Sequence, residues 1–234
     1  MVPDMTLVHI RNTEGQSYMS PNLVEQLRAR LIDLFVPCGL SKEASETAVS
    51  RLGDWVDSRH PQGLFVDALD SDDWLGWLEH RCDVFEAVNV AVVLREISRV
   101  ATEGATQCDS VFAALVKDLR MPSAYGDVIE RLVALPGADT SWLPATADEA
   151  VVLDVERSWF GGPSSRYRRH VAAIRAMAPS LSDERWLGQR LHNLTRIFDS
   201  GLIFFLPETR CALEGRAFLN VSLEIADIRS GPRT

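Results

Sequence analysis

The amino-acid sequence predicts a mainly α fold: a single-domain helical bundle of six to eight helices around one core, with a small antiparallel β-hairpin or sheet near the C-terminus. Three observations lead there. Apolar residues recur at spacings of three and four through most of the chain, caps and Pro or Gly stops punctuate those stretches, and strict two-residue alternation occurs only near the end. The composition, 46% hydrophobic and 24% charged over 234 residues, is that of a chain able to bury a sizeable core without a partner.

The N-terminal half begins with Thr6 to Ile10 as a short strand. Ser20-Pro21 then sets an N-cap with proline at the first helical position; Leu23, Leu27, Leu31 and Leu34 follow at helical spacing, and Pro37 with Gly39 ends the helix. Ser41 caps a second helix with Ala44, Ala48, Leu52 and Trp55 on one face. The carboxylates from Asp70 to Asp73 suit the start of a long helix reaching about Val100, because the helix dipole favours negative charge there. Within it, Ala87 to Leu94 is nearly all apolar and should be buried on every side; length decides for helix over buried strand. Two further helices are expected at Cys108–Leu119 and Ser123–Leu135.

Residues 136–145 form the clearest loop, and any subdivision of the domain falls there. Thr146-x-x-Glu149 has the capping-box spacing and starts a helix running to Gly161-Gly162. The next helix carries a core stripe of Tyr167, Val171, Ile174 and Ala178. The helix Asp183–Ser200 buries Leu187, Leu191, Leu194 and Phe198 and turns Arg185, Gln189, His192 and Arg196 outward. After Gly201 the pattern changes: Leu202–Leu206 reads as a strand, Glu214-Gly215 as a turn, and Leu219, Val221, Leu223 and Ile225 as an alternating strand with one face buried. The N-terminal strand can join this hairpin as a third member.

The formal net charge is −9, unevenly spread. Residues 54–96 hold ten carboxylates against three arginines, whereas residues 157–196 hold eight arginines against Asp183 and Glu184. Either the two regions pack and neutralise each other, or the basic one is offered to an anionic ligand. An acidic whole argues against general nucleic-acid binding, which needs net phosphate neutralisation. Cys38, Cys82, Cys108 and Cys211 stand apart, with no C-x-x-C and no histidine at ligand spacing, so the expectation is no metal and four reduced thiols in a cytoplasmic protein. The sequence shows neither a signal-peptide pattern nor an apolar run of membrane-spanning length.

The segment Gly161 to His170, GGPSSRYRRH, breaks a local rule. A helix N-terminus already carries partial positive charge, so Arg166, Arg168 and Arg169 cost stability there unless something negative is near. The chemistry this suits is a phosphate or carboxylate site in which Ser164, Ser165 and helix-start N–H groups meet the anion, and Arg166 and Arg169 add charge, with Arg185 and Arg196 from the following helix. His170 and His192 are the candidates for acid–base work. The spacing is neither a Walker loop nor a dinucleotide fingerprint, and no cofactor is identifiable.

Two short strings resemble known motifs. Asp70-Ser71-Asp72-Asp73 matches the D-x-D-D of class II terpene cyclases, but this chain is too small for their double helical barrel, and an acidic helix start accounts for it better. Val151 to Glu156 is similar to the apolar strand and nucleophilic aspartate of haloacid-dehalogenase-type enzymes, but Glu156 stands where that pattern wants Asp, and the string lies mid-chain. Glu79, Asp83 and Glu86 form a stripe that suits a solvated helix face better than a cation site.

The functional expectation is a non-enzymatic cytoplasmic binding or regulatory protein with an acidic surface for a basic protein partner and an Arg-lined anion site. The alternative is an enzyme acting on a phosphorylated or carboxylated small molecule, its anion held by Arg166, Arg169 and Arg196 and its proton moved by His170 or His192.

Overall fold

In a computed structural model, residues 29–57, 76–101, 117, 121–136, 142–176 and 178–231 are described. Seven helices follow in chain order: α1 (Lys42–Asp57), α2 (Phe85–Ala101), α3 (Ser123–Val133), α4 (Ala147–Arg157), α5 (Ser164–Ala176), α6 (Asp183–Asp199) and α7 (Pro207–Ser230). Short 3-10 turns occupy Glu79–Arg81 and Ser158–Gly161, and residues 29–35 are also helical. The expected N-terminal strand and most of the Cys108–Leu119 helix lie outside the described residues.

Local chemistry sets most of these boundaries. Ser41 Oγ accepts the Ala44 N–H at 3.1 Å and starts α1, and Gly39, at φ 90°, turns the chain between residues 29–35 and α1. Of the stripe expected on α1, Ala48 is buried, together with Ser45 and Val49, and Ala44 is exposed, while the side chains of Leu52 and Trp55 lie outside the described residues. The long helix expected to Val100 is broken. Cys82–Val84 interrupts it, and the Asp83 N–H, no longer helical, donates to Asp148 Oδ1 at 2.8 Å. Beyond the break, Ala87 to Leu94 is a helix buried all round except at half-buried Asn89, as its composition demands.

Helix α4 is the centre of the molecule. Its Thr146/Glu149 capping box forms as expected, and every residue from Asp148 to Arg157 is buried. One apolar cluster, from Leu31 and Phe35 through α2 and α3, packs on its Ala150, Val151, Val152 and Val155. A second, built from Trp159, Phe160, Tyr167, Leu194, Ile203, Leu213 and Val221, lies beyond the 3-10 turn that ends α4. Among the described residues the buried apolar side chains thus group into two clusters, the second of which includes the turn itself.

The C-terminal hairpin expected from the sequence is not formed. Residues 202–206 are irregular, and α7 runs unbroken through the expected turn at Glu214-Gly215. The N–H groups of Ile203 and Phe204 donate to Glu214 at 2.8 and 3.1 Å, and those of Phe205 and Leu206 to Asp154 at 2.7 and 2.8 Å. Two carboxylates therefore satisfy the donors that a strand neighbour would have taken. The alternation at 219–225 is equally helical: alternate residues fall on opposite helix faces, so Val221 and Ile225 are buried while Leu219 and Leu223 are exposed.

The 3-10 turn packs so closely under α7 that a Cβ on Gly161 would lie 2.6 Å from Leu213 Cβ and 2.9 Å from its carbonyl oxygen. Gly161→Ala is expected to cost about 1–3 kcal/mol in urea unfolding through overpacking. Gly215→Ala, with open space at its Cβ, serves as the contrast and is expected to stabilise by about 0.5–1 kcal/mol. Equal effects at the two positions would refute the close approach.

Candidate functional site

Helices α5 and α6 bring the nominated basic residues to the surface unequally. Arg169, Arg185, Arg196 and His192 are exposed, as are Arg168 and Ser165; Arg166 is half-buried with its Cδ near Gly162. Ser164 opens α5, but its hydroxyl donates to Asn220 Oδ1 at 3.4 Å. His170, expected in an exposed setting, is 6% exposed and stacks on Trp159 with ring centroids 4.2 Å apart. It is a wall of the core, while its intended counterpart His192 faces solvent.

The register of α6 also differs from the expected one. Its buried face runs through Arg190, Leu194 and Ile197, so Leu187 and Phe198, expected inside, are 40% and 41% exposed. An arginine takes the core position because a carboxylate waits there: Arg190 donates to both oxygens of Glu224 at 2.8 and 3.0 Å and to the Tyr167 hydroxyl at 3.5 Å, with its guanidinium over the Trp159 ring at 5.5 Å. Tyr167 in turn donates to Glu224. Burial opposes the Arg190 charge, but Glu224 and Tyr167 outweigh it and hold the guanidinium protonated; burial beside Glu224 also keeps the Tyr167 proton in place. Sequence reasoning missed this triad because Glu224 lies 34 residues from Arg190 and nothing local marks it.

The other arginines of the basic region divide in the same way. Arg157 donates to the Ile203 carbonyl at 2.9 Å and lies over the Phe205 ring. Arg175 closes the C-terminus of α5, donating to the carbonyls of Ala178 and Leu181 and to Asp183 at 2.8 Å. In the acidic region Arg95 forks onto Glu156, and Arg81 pairs with Glu208. None of these ion pairs joins the acidic region to the basic one. Glu79, Asp83 and Glu86 are exposed.

Asp154 is the most unusual ionisable group of the interior. It is fully buried on α4 and accepts the Phe205 and Leu206 N–H groups, capping α7 from outside that helix. Thr209 Oγ1 lies against its Oδ2 and also 2.9 Å from the Leu206 carbonyl, two acceptors for one hydroxyl proton. Burial pushes the Asp154 carboxyl up to about 6, against the pull of Thr209, the two N–H groups and Arg157. The only sequence signal was a carboxylate inside the apolar run Val151–Val155, and that run is helix, not the strand of the haloacid-dehalogenase-type motif.

An open cleft of about 450 Å³ lies elsewhere, lined by Asp33, Lys42, Glu46 and Ser50 around Ile32 and Val49, with none of the nominated residues. Among the described residues no group of three His, Cys, Asp or Glu could hold a metal, and no helix is long and apolar enough to cross a membrane. Burial pushes the Cys38 and Cys82 thiols up to about 12, which makes them inert.

The described residues define a helical protein whose interior charges are committed to holding helices together and whose α5–α6 surface is rich in arginine. Comparison with protein families, with curated proteins and with solved structures finds no match.

Proposed function

We propose that the protein is a non-catalytic binding protein of the cytoplasm, with an anion-binding face formed by the exposed arginines of α5 and α6 and an acidic surface for a basic protein partner. The observation that carries this reading is the division of the arginines. Arg95, Arg157, Arg175 and Arg190 are engaged in internal contacts, whereas Arg169 and Arg185 stand exposed on two successive helices, with the exposed Arg196 on the second of them. Packing does not need those side chains outside, and a guanidinium fork on the surface suits phosphate or carboxylate. On the acidic side, Glu79, Asp83 and Glu86 stay exposed and suit a lysine- or arginine-rich partner segment. Binding is favoured over catalysis because His170 is stacked on Trp159 in the core while His192 is exposed on the next helix, which separates the two acid–base candidates.

Thermal-shift titration with inorganic phosphate, diphosphate, nucleotides, coenzyme A and small carboxylates tests this. The chain is expected to gain several degrees with one of these anions, and Arg169→Ala/Arg185→Ala is expected to lose that gain while melting within about 0.5 kcal/mol of the parent in plain buffer. A chain that responds to none of these anions has no such site. A variant already destabilised in buffer would assign the arginines to the fold instead.

A further inference from the structure

Helix α7 carries more than its core face requires. With Leu213, Ala217, Val221 and Ile225 turned inward, its outer side presents Ala212, Arg216, Leu219, Leu223, Ala226 and Ser230, all exposed. Their spacing is four, three, four, three, four, the a/d repeat of a coiled-coil seam. Leu219 and Leu223 sit at its middle, 55% and 52% exposed, the two large apolar side chains that α7 leaves exposed. Small side chains at both ends permit close approach of another helix.

We propose that this seam pairs with its own copy, antiparallel, to form a two-fold dimer. The spacing reads the same from either end about residue 221, so a two-fold axis crossing there stacks Leu219 of one copy on Leu223 of the other, Arg216 on Ala226, and Ala212 on Ser230. The charges agree with that register. Arg216 and Asp227 are both exposed and lie on the same flank of the seam. Such an axis keeps that flank on one side and brings Arg216 of each copy level with Asp227 of the other, twice per dimer. A parallel pairing would place Arg216 beside Arg216 instead. The seam thus selects a second copy by complementing itself in apolar shape and in charge. Residues 212–230 span about 27 Å of helix, and a strip of that length with only two leucines per copy gives a weak, concentration-dependent dimer rather than an obligate one.

Sedimentation of the whole chain over a concentration series tests this, read alongside thermal melting. The parent is expected to pass from monomer to dimer as concentration rises. Leu219→Asp is expected to leave a monomer with a melting midpoint close to the parent's, since more than half of the side chain faces solvent. Arg216→Glu alone, or Asp227→Arg alone, sets like charges together across the axis twice and is expected to weaken the dimer roughly five- to tenfold. Combining the two reverses both charges and is expected to restore parental affinity. A parent that stays monomeric throughout overturns the proposal, and so does a dimer that survives Leu219→Asp. If Leu219→Asp disrupts the dimer but the combined charge reversal does not restore it, the antiparallel register is wrong.

Discussion

Replacing Arg95 by methionine is expected to cost about 3–5 kcal/mol, the largest effect of any single substitution in the described interior. Arg95 and Glu156 are 6% and 2% exposed, and the guanidinium forks onto the carboxylate at 2.5 and 3.1 Å. The same guanidinium donates to the carbonyls of Leu132 and Val133 in the last turn of α3 and of Leu135 and Pro136 just beyond it. One side chain therefore neutralises a buried charge on α4 and closes the end of α3. Its loss leaves a carboxylate without its counter-charge and several carbonyls without a donor, both in a dry interior. Against a typical total stability of about 5–15 kcal/mol, such a variant stands near the edge of folding. Arg95→Met/Glu156→Leu is expected to recover part of the loss, because it removes the stranded charge but not the open carbonyls. Urea unfolding of the parent, both single variants and the double variant measures this directly. A loss under about 1 kcal/mol for Arg95→Met would show that water reaches Glu156 and that the pair is not buried in solution.

The second large effect is a pH dependence traced to Asp154. Burial raises its carboxyl from an ordinary 3.8 to about 6, so the folded chain binds this proton more tightly than the unfolded chain does. The stabilisation from that proton is complete below about pH 4 and is lost as pH rises through 6. Across that window the group takes away about 3 kcal/mol. The geometry has the same sense: with the proton on Asp154, the acid donates to Thr209 and the hydroxyl passes its own proton to the Leu206 carbonyl, whereas the ionised group leaves one of those contacts without a hydrogen. Asp154→Asn imitates the protonated acid at Thr209 but sets an NH2 against the Leu206 N–H. It is expected to be less stable than the parent at pH 4–5 by about 1–3 kcal/mol and to lose less stability toward pH 7. The difference between the two stability profiles isolates this group from all others that titrate. Parallel profiles from pH 4 to pH 7 would show that Asp154 ionises in the folded protein as it does in the unfolded chain.

The two predictions concern residues whose partners the sequence did not reveal, whereas sequence reading located much of the rest. Ser41 and Thr146 with Glu149 cap helices where their spacing says they should, because a cap is made within three or four residues of chain. The Ala87–Leu94 run is the buried helix its composition demands. The candidate site was legible in part: Arg169, Arg185, Arg196 and His192 are exposed as the helical pattern implies, while His170 is not, because Trp159 on the preceding turn offers a stacking partner that periodicity does not reveal.

By itself the sequence determined the helical class, the capped starts of the helices and the uneven charge, since each depends on side chains within a turn or two of one another. Tertiary structure alone decided where a residue's nature gave way to its partner. Arg190 went inward because Glu224 was there, 34 residues away, and Leu187 and Phe198 turned out with the same rotation of α6. Residues 203–206 gave up the strand that their apolar run favours because Asp154 and Glu214 supplied four acceptors from two other helices. In each case a buried polar group had to be satisfied, and the chain distance to the group that satisfied it exceeds any local pattern.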